Sequence, residues 1–313
     1  MMHLRNIVSV LISLSIAMLA IDSQAQRVRI APAVHPHPRP IAIHWHDDDD
    51  DADMPVKEQQ TIRKSFTLAS GERHLEIDNV WGSISVKGGS SDQVQVVVNK
   101  SIRAESKEAL EQAKKEVSLD ITQPADSVKL YVNGPFRCHC EDGCDHGHLG
   151  YVVKMDFEVQ VPSSIDLALN TVNEGDITVE GVSGHYSVRN VNGGIDMQGI
   201  AGAGQAKTVN GGVKIAFTGN PQAASSYSSV NGDIDLLFLP KLSADLRFKT
   251  FNGNIYTDFP MTALPQRQPT EEHQNGKFVF RADRYSGGRV AAGGPEIKIE
   301  TLNGDIHIRE RNQ

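Results

Sequence analysis

Apolar and polar residues alternate in short runs along most of the chain. Ser65-Phe66-Thr67-Leu68, His74-Leu75-Glu76-Ile77 and Gly82-Ser83-Ile84-Ser85-Val86-Lys87-Gly88 follow this pattern with glycine at the breaks, and Val94-Gln95-Val96-Val97-Val98 continues it. Alternation with a period of two predicts half-buried strands. One segment changes period. Between residues 106 and 117, Ala109, Leu110, Ala113 and Val117 share one face at helical spacing, which predicts a single short helix. Ser106 stands at its start, but Ala109, three places on, is not the acidic partner of a full capping box. Strands are expected again over 128–132 and 151–161, on either side of a stretch rich in cysteine and histidine.

Downstream the pattern repeats. Thr171-Val172-Asn173-Glu174-Gly175-Asp176-Ile177 is echoed by Asn190-Val191-Asn192-Gly193-Gly194-Ile195 and Thr208-Val209-Asn210-Gly211-Gly212-Val213. Ser229-Val230-Asn231-Gly232-Asp233-Ile234, Thr250-Phe251-Asn252-Gly253-Asn254-Ile255 and Thr301-Leu302-Asn303-Gly304-Asp305-Ile306 follow. Successive asparagines lie 19, 18, 21, 21 and 51 residues apart, and Asn79-Val80-Trp81-Gly82-Ser83-Ile84 is a degenerate early copy with Trp81 in the asparagine place. A period near 20 marks a repeat architecture. A meander of hairpins would use Asn-Gly as its turns. In a β-solenoid each repeat is one coil, Asn-Gly turns a corner, and Val and Ile point into a continuous core. The solenoid explains the apolar residue before each asparagine, and the Thr, Ser or Asn two places before it. It would stack the asparagines so that their amides share hydrogen bonds along a ladder. The expected fold is therefore all-β, a single-stranded β-solenoid (β-helix) with about 18–21 residues per coil and one short inserted α-helix.

The stretch Leu75-Glu76-Ile77-Asp78-Asn79-Val80-Trp81-Gly82-Ser83-Ile84-Ser85-Val86-Lys87-Gly88 resembles the opening of the bacterial putative-adhesin family of β-strand-repeat proteins. The Val-Asn-Gly-Asp-Ile units and the closing 297–308 are similar to the same family. The resemblance covers about residues 65 to 310. It implies a right-handed β-solenoid on exported or envelope-attached proteins, and it implies no established reaction.

Domain organisation follows from the ends. Residues 1–25 read as a signal peptide, with His3 and Arg5 ahead of an apolar run from Ile7 to Ala20 and small residues Ser23 and Ala25 before Gln26. That run falls short of the roughly 20 residues that span a bilayer, so cleavage and export to the periplasm or cell surface are expected, with no transmembrane segment left. Residues 26–64 read as a disordered tail. Prolines alternate through Val34-His35-Pro36-His37-Pro38-Arg39-Pro40, and His44-Trp45-His46 precedes the acidic run Asp47 to Asp51. The solenoid domain spans 65–310, with ends that need capping against strand addition. The Phe66 to Val98 segment and the Ile306-His307-Ile308 strand are the expected caps. A net charge of -8 argues against general nucleic-acid binding.

The sharpest candidate chemistry is the insert at 138–148, Cys138-His139-Cys140-Glu141-Asp142-Gly143-Cys144-Asp145-His146-Gly147-His148. Cys138, Cys140 and Cys144 with His146 or His148 are candidate ligands for Zn or Cu. The alternative is a disulfide from Cys138 or Cys140 to Cys144, leaving one free thiol, as an oxidising compartment favours. Asp176, Asp233 and Asp305 recur after the corner glycine, but without a basic residue beside them in the repeat they offer little for a polysaccharide lyase. No HExxH, GxSxG or phosphate-cradling loop is present. The sequence thus points to a non-enzymatic exported envelope protein, a structural or adhesion module that meets an envelope protein or glycan. The alternatives are a periplasmic metal-binding protein using the insert and the His/Asp tail, and a β-helix that binds or cleaves polysaccharide.

Overall fold

The computed structural model describes residues 54–137, 149–265, 270–274, 277–281 and 285–311. The expected signal peptide, most of the expected tail and the Cys/His insert lie outside the described residues.

The chain opens with strands β1 (Val56–Thr67), β2 (His74–Asp78), β3 (Ile84–Gly89) and β4 (Gln93–Ala104). Helix α1 (Lys107–Glu116) follows, then β5 (Ser118–Thr122), β6 (Ser127–Asn133) and β7 (Tyr151–Pro162). The repeats supply β8 (Asp166–Asn170), β9 (Ile177–Glu180), β10 (Tyr186–Arg189), β11 (Ile195–Ile200), β12 (Gly204–Lys207) and β13 (Val213–Phe217). They continue through β14 (Ser225–Asn231), β15 (Ile234–Phe238), β16 (Ala244–Asn252) and β17 (Ile255–Thr257). The last part holds β18 (Met261–Ala263), β19 (Thr270–Gln274), β20 (Lys277–Arg281), β21 (Ser286–Val290), β22 (Glu296–Asn303) and β23 (Ile306–Glu310).

Two large sheets enclose the core. One runs β1-β4-β7-β3-β9-β11-β13-β15-β23-β17, the other β5-β6-β2-β8-β10-β12-β14-β22-β16-β21-β18. Each coil gives one strand to each sheet, with the Asn-Gly segment turning between them. Neighbouring repeat strands pair in parallel, as in Ile177 beside Ile195, Val213 and Ile234 in turn. Parallel pairing excludes the hairpin meander, whose strands would run antiparallel. Ile84, Ile177, Ile195, Val213, Ile234 and Ile306 form one buried inward row, and Val86, Val179, Met197, Ile215, Leu236 and Ile308 form the next.

The coils are not stacked in chain order. β2 and β3 lie between the coil of β6 and β7 and that of β8 and β9. At the other end β22 sits between β14 and β16, and β23 between β15 and β17. The final repeat is therefore an inner coil, and the Ile306-His307-Ile308 strand does not cap the domain. The 51-residue gap before it is an excursion in which β18 and β21 cover the open side of β16 in antiparallel pairing. At the opposite end antiparallel β4 and β1 close one sheet and β5 closes the other. The expected cap over 66–98 is thus split, because β2 and β3 are inner strands.

β1 begins at Val56, inside the stretch read as a tether to residue 64, and pairs with β4 along its whole length. Its alternation is faint because only Val56, Ile62 and Phe66 pack against the core. Lys57, Glu58, Arg63 and Lys64 on this edge oppose pairing with another chain. Helix α1 packs on this end through Leu110 and Ala113, with the Ser106 hydroxyl accepting from the Ala109 N–H at 3.2 Å.

Two core tyrosines form a polar contact between their side chains. The Tyr186 and Tyr227 hydroxyls meet at 2.8 Å, with Gly204 and Ala206 leaving room between the two rings. Burial pushes the Tyr227 phenol up to about 12 and raises that of Tyr186 well above the ordinary value. In the unfolded chain both phenols ionise near pH 10. The pair's contribution is thus complete below pH 10 and declines as pH rises toward 12, where the unfolded chain releases protons first. Urea unfolding checks this. The double variant Tyr186→Phe/Tyr227→Phe should lose stability less steeply than the parent between pH 10 and 12. Tyr227→Phe alone strands the Tyr186 hydroxyl and should cost about 1–3 kcal/mol at neutral pH. An equally steep alkaline loss in the double variant would refute the assignment.

Candidate functional site

The corner between the two sheets carries the recurrent Asn-Gly residues of the repeat. Its glycines follow from stacking: a Cβ on Gly232 would lie 2.1 Å from the Gly211 carbonyl oxygen, and Gly232 has φ 155°. Any side chain there would push the coils apart.

Beside the glycines runs an asparagine ladder. Asn192 donates its Nδ2 to Asn173 Oδ1 at 2.7 Å, Asn210 to Asn192 at 2.7 Å and Asn231 to Asn210 at 2.8 Å. Asn303 continues to Asn231 at 2.7 Å and Asn252 to Asn303 at 2.7 Å. The ladder thereby follows spatial rather than chain order. It stops at Asn173, whose Nδ2 has no partner among the described residues, because the next coil presents Trp81 in that place.

The residue two places before each asparagine points inward, contrary to the expectation that the apolar residue between them would fill the core. Thr171, Asn190, Thr208, Ser229 and Thr301 are buried. Thr171 Oγ1 donates to the Gly82 carbonyl at 2.8 Å, Thr208 to Gly193 at 2.8 Å, Ser229 to Gly211 at 2.8 Å and Thr301 to Gly232 at 3.0 Å. Asn190 reaches Gly175 at 2.9 Å, across a corner lengthened by Glu174. The corner turns these carbonyls toward the interior, where each needs a short donor. The intervening apolar residues form an outer ridge in which Leu302 is 46% and Phe251 77% exposed.

The aspartates after the glycine are also engaged. Asp176 Oδ1 accepts from the Gly194 N–H at 2.7 Å, Asp233 from Asp305 at 2.8 Å and Asp305 from Asn254 at 2.7 Å. Each carboxylate holds the backbone of the next coil, which is a structural use and not the geometry of a clustered acid site. Outside the corner, Thr178, Asp196, Lys214, Asp235, His307 and Tyr256 line up on the outer face of the first sheet. Arg309 pairs with Asp235 at 3.0 Å and Lys87 with Glu180 at 3.0 Å, while Tyr256 stacks on His307 at 5.0 Å. The face is mixed in charge.

The Cys/His insert stands in the chain between β6 and β7, where the regular repeats carry Asn-Gly. Its candidate ligands Cys138, Cys140, Cys144, His146 and His148 lie outside the described residues. The residues that lead into it are firmly held. Arg137 donates to Asp78 Oδ1 and to the Asp78 and Val132 carbonyls, each at 2.9 Å, and covers the Tyr131 ring at 4.4 Å. Phe136 meets Trp81 edge-on at 5.1 Å. On the far side the Gly150 carbonyl accepts from the Glu105 N–H at 3.0 Å. Among the described residues no group of three or more His, Cys, Asp or Glu is placed to hold a metal.

Two basic side chains, Lys100 and Arg247, are buried among the described residues. Lys100 lies in β4 beneath α1 and donates to the Val117 carbonyl at the helix end at 2.8 Å. Burial lowers its ammonium from the usual range, with Glu58 opposing. It borders a depression of about 330 Å³ lined also by Glu58, Gln60, Ile102 and Lys114. Its bond to the helix end gives it an anchoring role. The alternation of β4 carries the signal, since Lys100 has the parity of the buried Val94, Val96, Val98, Ile102 and Ala104.

Residues 163–309 match the model of the family described as Toastrack DUF4097. Among solved structures, the chain is similar to a putative cell adhesion protein from Clostridium sporogenes at 8% identity, covering 81% of this chain and 100% of that one with a TM-score of 0.39. It is similar to a putative adhesin from Bacteroides fragilis at 11% identity, over 80% of this chain and 97% of that one, with a TM-score of 0.29. A structure described as a putative lipid binding protein from Parabacteroides distasonis matches at 9% identity over 80% and 97%, with a TM-score of 0.26. No curated protein matches the chain.

Two substitutions separate the roles of the corner side chains. Asn231→Ala removes one donor and one acceptor from the middle of the ladder and should cost about 1–3 kcal/mol. Thr208→Val keeps the shape but leaves the Gly193 carbonyl without its donor, and should cost a similar about 1–3 kcal/mol despite the added apolar surface. Urea unfolding measures both, and a neutral or stabilising Thr208→Val would contradict the inward hydrogen bond.

Proposed function

We propose that this chain, whose residues 163–309 match the model of the Toastrack DUF4097 family, is a non-enzymatic interaction module of the cell envelope that engages a protein or glycan through its long sheet faces. The observation that carries this reading is the corner, where the recurrent polar side chains bond to one another or to backbone. The repeated residues therefore build a scaffold, and the varied outward side chains are left to meet a partner. We read the winding as right-handed, the hand that strand-crossover-strand connections adopt, with 18–21 residues in each regular coil. Residues 1–25 are read as a cleaved signal peptide, and no described helix is long and apolar enough to cross a membrane.

A second reading attaches to the insert. The anchoring of Arg137, Phe136 and Gly150 favours a fixed base for it. Cys138, Cys140 and Cys144 with His146 or His148 offer a Zn or Cu(I) ligand set on that base. Export would then make this a periplasmic metal-handling protein.

The test is made on protein recovered from cells. Fractionation followed by mass spectrometry should place the chain outside the cytoplasmic membrane with Gln26 at its N-terminus, and crosslinking on whole cells should join it to an envelope component through sheet-face residues. A chain that stays in the cytoplasm with residues 1–25 attached would sink the envelope reading. Metal content and free-thiol count on the same sample decide the second reading. About one Zn or Cu per chain, lost on changing the three cysteines to serine, supports it, and no metal with a single free thiol rejects it.

A further inference from the structure

The coil formed by β22 and β23 is the last in the chain yet lies between two coils made before it. β16 and β17 pair with the body of the solenoid only through this coil. Its contacts are complete on both sides. The Gly232 and Ile234 N–H groups donate to the Asn303 and Asp305 carbonyls at 2.9 Å, and the Gly304 and Ile306 N–H groups donate to Asn252 and Asn254 at 2.9 Å. Ile297, Ile299, Ile306 and Ile308 are fully buried.

The chain reaches this position by an unusual path. β21 runs antiparallel along one side of β16, and β22 runs parallel along the other. Residues Ala291-Ala292-Gly293-Gly294-Pro295 cross over the end of β16 to join them. This hinge is short and strained, since Ala291 adopts φ 51°, a conformation unfavourable for a residue with a Cβ. Until residues 296–310 arrive, the slot between β14/β15 and β16/β17 is unfilled or closed on itself. An identical segment from another molecule fits the open slot equally well, and a hinge extended toward a neighbour releases the strain at Ala291.

We propose that the C-terminal coil is an exchangeable element, and that the slot accepts residues 296–310 of a second copy to form a strand-exchanged dimer. Short strained hinges favour such exchange over closure within one chain. The dimer would join two solenoids through a complete coil, which goes beyond the envelope reading and does not depend on it.

Single cysteines test this in the full chain, with Cys138, Cys140 and Cys144 replaced by serine. Ser226 and Lys298 are directly paired neighbours on β14 and β22. A chain with only Ser226→Cys and a chain with only Lys298→Cys are unfolded together, refolded at high concentration and oxidised. Exchange predicts a disulfide-linked dimer of doubled mass from this mixture. The double variant, refolded at high dilution, should instead close within one chain without change in mass. Lys298→Cys mixed with Ser85→Cys, on the other sheet, gives the background. A dimer yield from the register pair no greater than this background would overturn the proposal. Native mass spectrometry of the unaltered chain provides an independent reading. Refolding at rising concentration should yield a dimer that persists on dilution, and monomer alone at every concentration would also overturn it.

Discussion

The structure depends on close stacking of the Asn-Gly corner. Coils must approach to the strand spacing of about 4.8 Å, which leaves no room for a Cβ between corner backbones. That approach turns a carbonyl inward at each coil, and the inward Thr, Ser or Asn supplies its donor. The same register brings the outer asparagines into a continuous ladder and sets each aspartate against the next coil's N–H. Glycine, donor, asparagine and acid are thus four consequences of one steric condition.

The same condition explains how the ends can be built out of chain order. A corner bonds to whichever coil lies beside it, and all regular corners present nearly the same groups. The final coil is accepted between two earlier ones because Asn303 offers Asn231 and Asn252 the contacts any neighbour would offer. The ladder ends at Asn173, where the repeat itself fails. Trp81 takes the asparagine place, packs against Phe136 and leads to the coil that carries the Cys/His insert. Antiparallel strands cover three of the four sheet ends, with charged β1, β5, and the β21–β18 pair, while parallel β17 forms the fourth.

Much of this was legible in the sequence, including the strands, the helix near 106–117, the corner role of Asn-Gly and the ladder. Three features were not. The polar residue two places before the asparagine is the buried one, because alternation by itself does not reveal that a turning backbone points its carbonyl inward. β1 was hidden because its inward face carries only Val56, Ile62 and Phe66 among polar and charged residues. The spatial order of coils was hidden because repeated motifs encode how a coil meets a neighbour and not which neighbour it meets. The Cys/His insert stood out by residue type and close spacing, while the contacts of Phe136 with Trp81 and of Arg137 with Asp78, just before it, follow from no spacing rule.

The most direct test of this account is side-chain amide contacts among Asn231, Asn252 and Asn303 by nuclear magnetic resonance on a chain labelled at asparagine. The account predicts contacts from Asn303 to both Asn231 and Asn252, and none between Asn231 and Asn252. A direct contact between Asn231 and Asn252, with Asn303 beyond them, would show coils stacked in chain order and contradict the account.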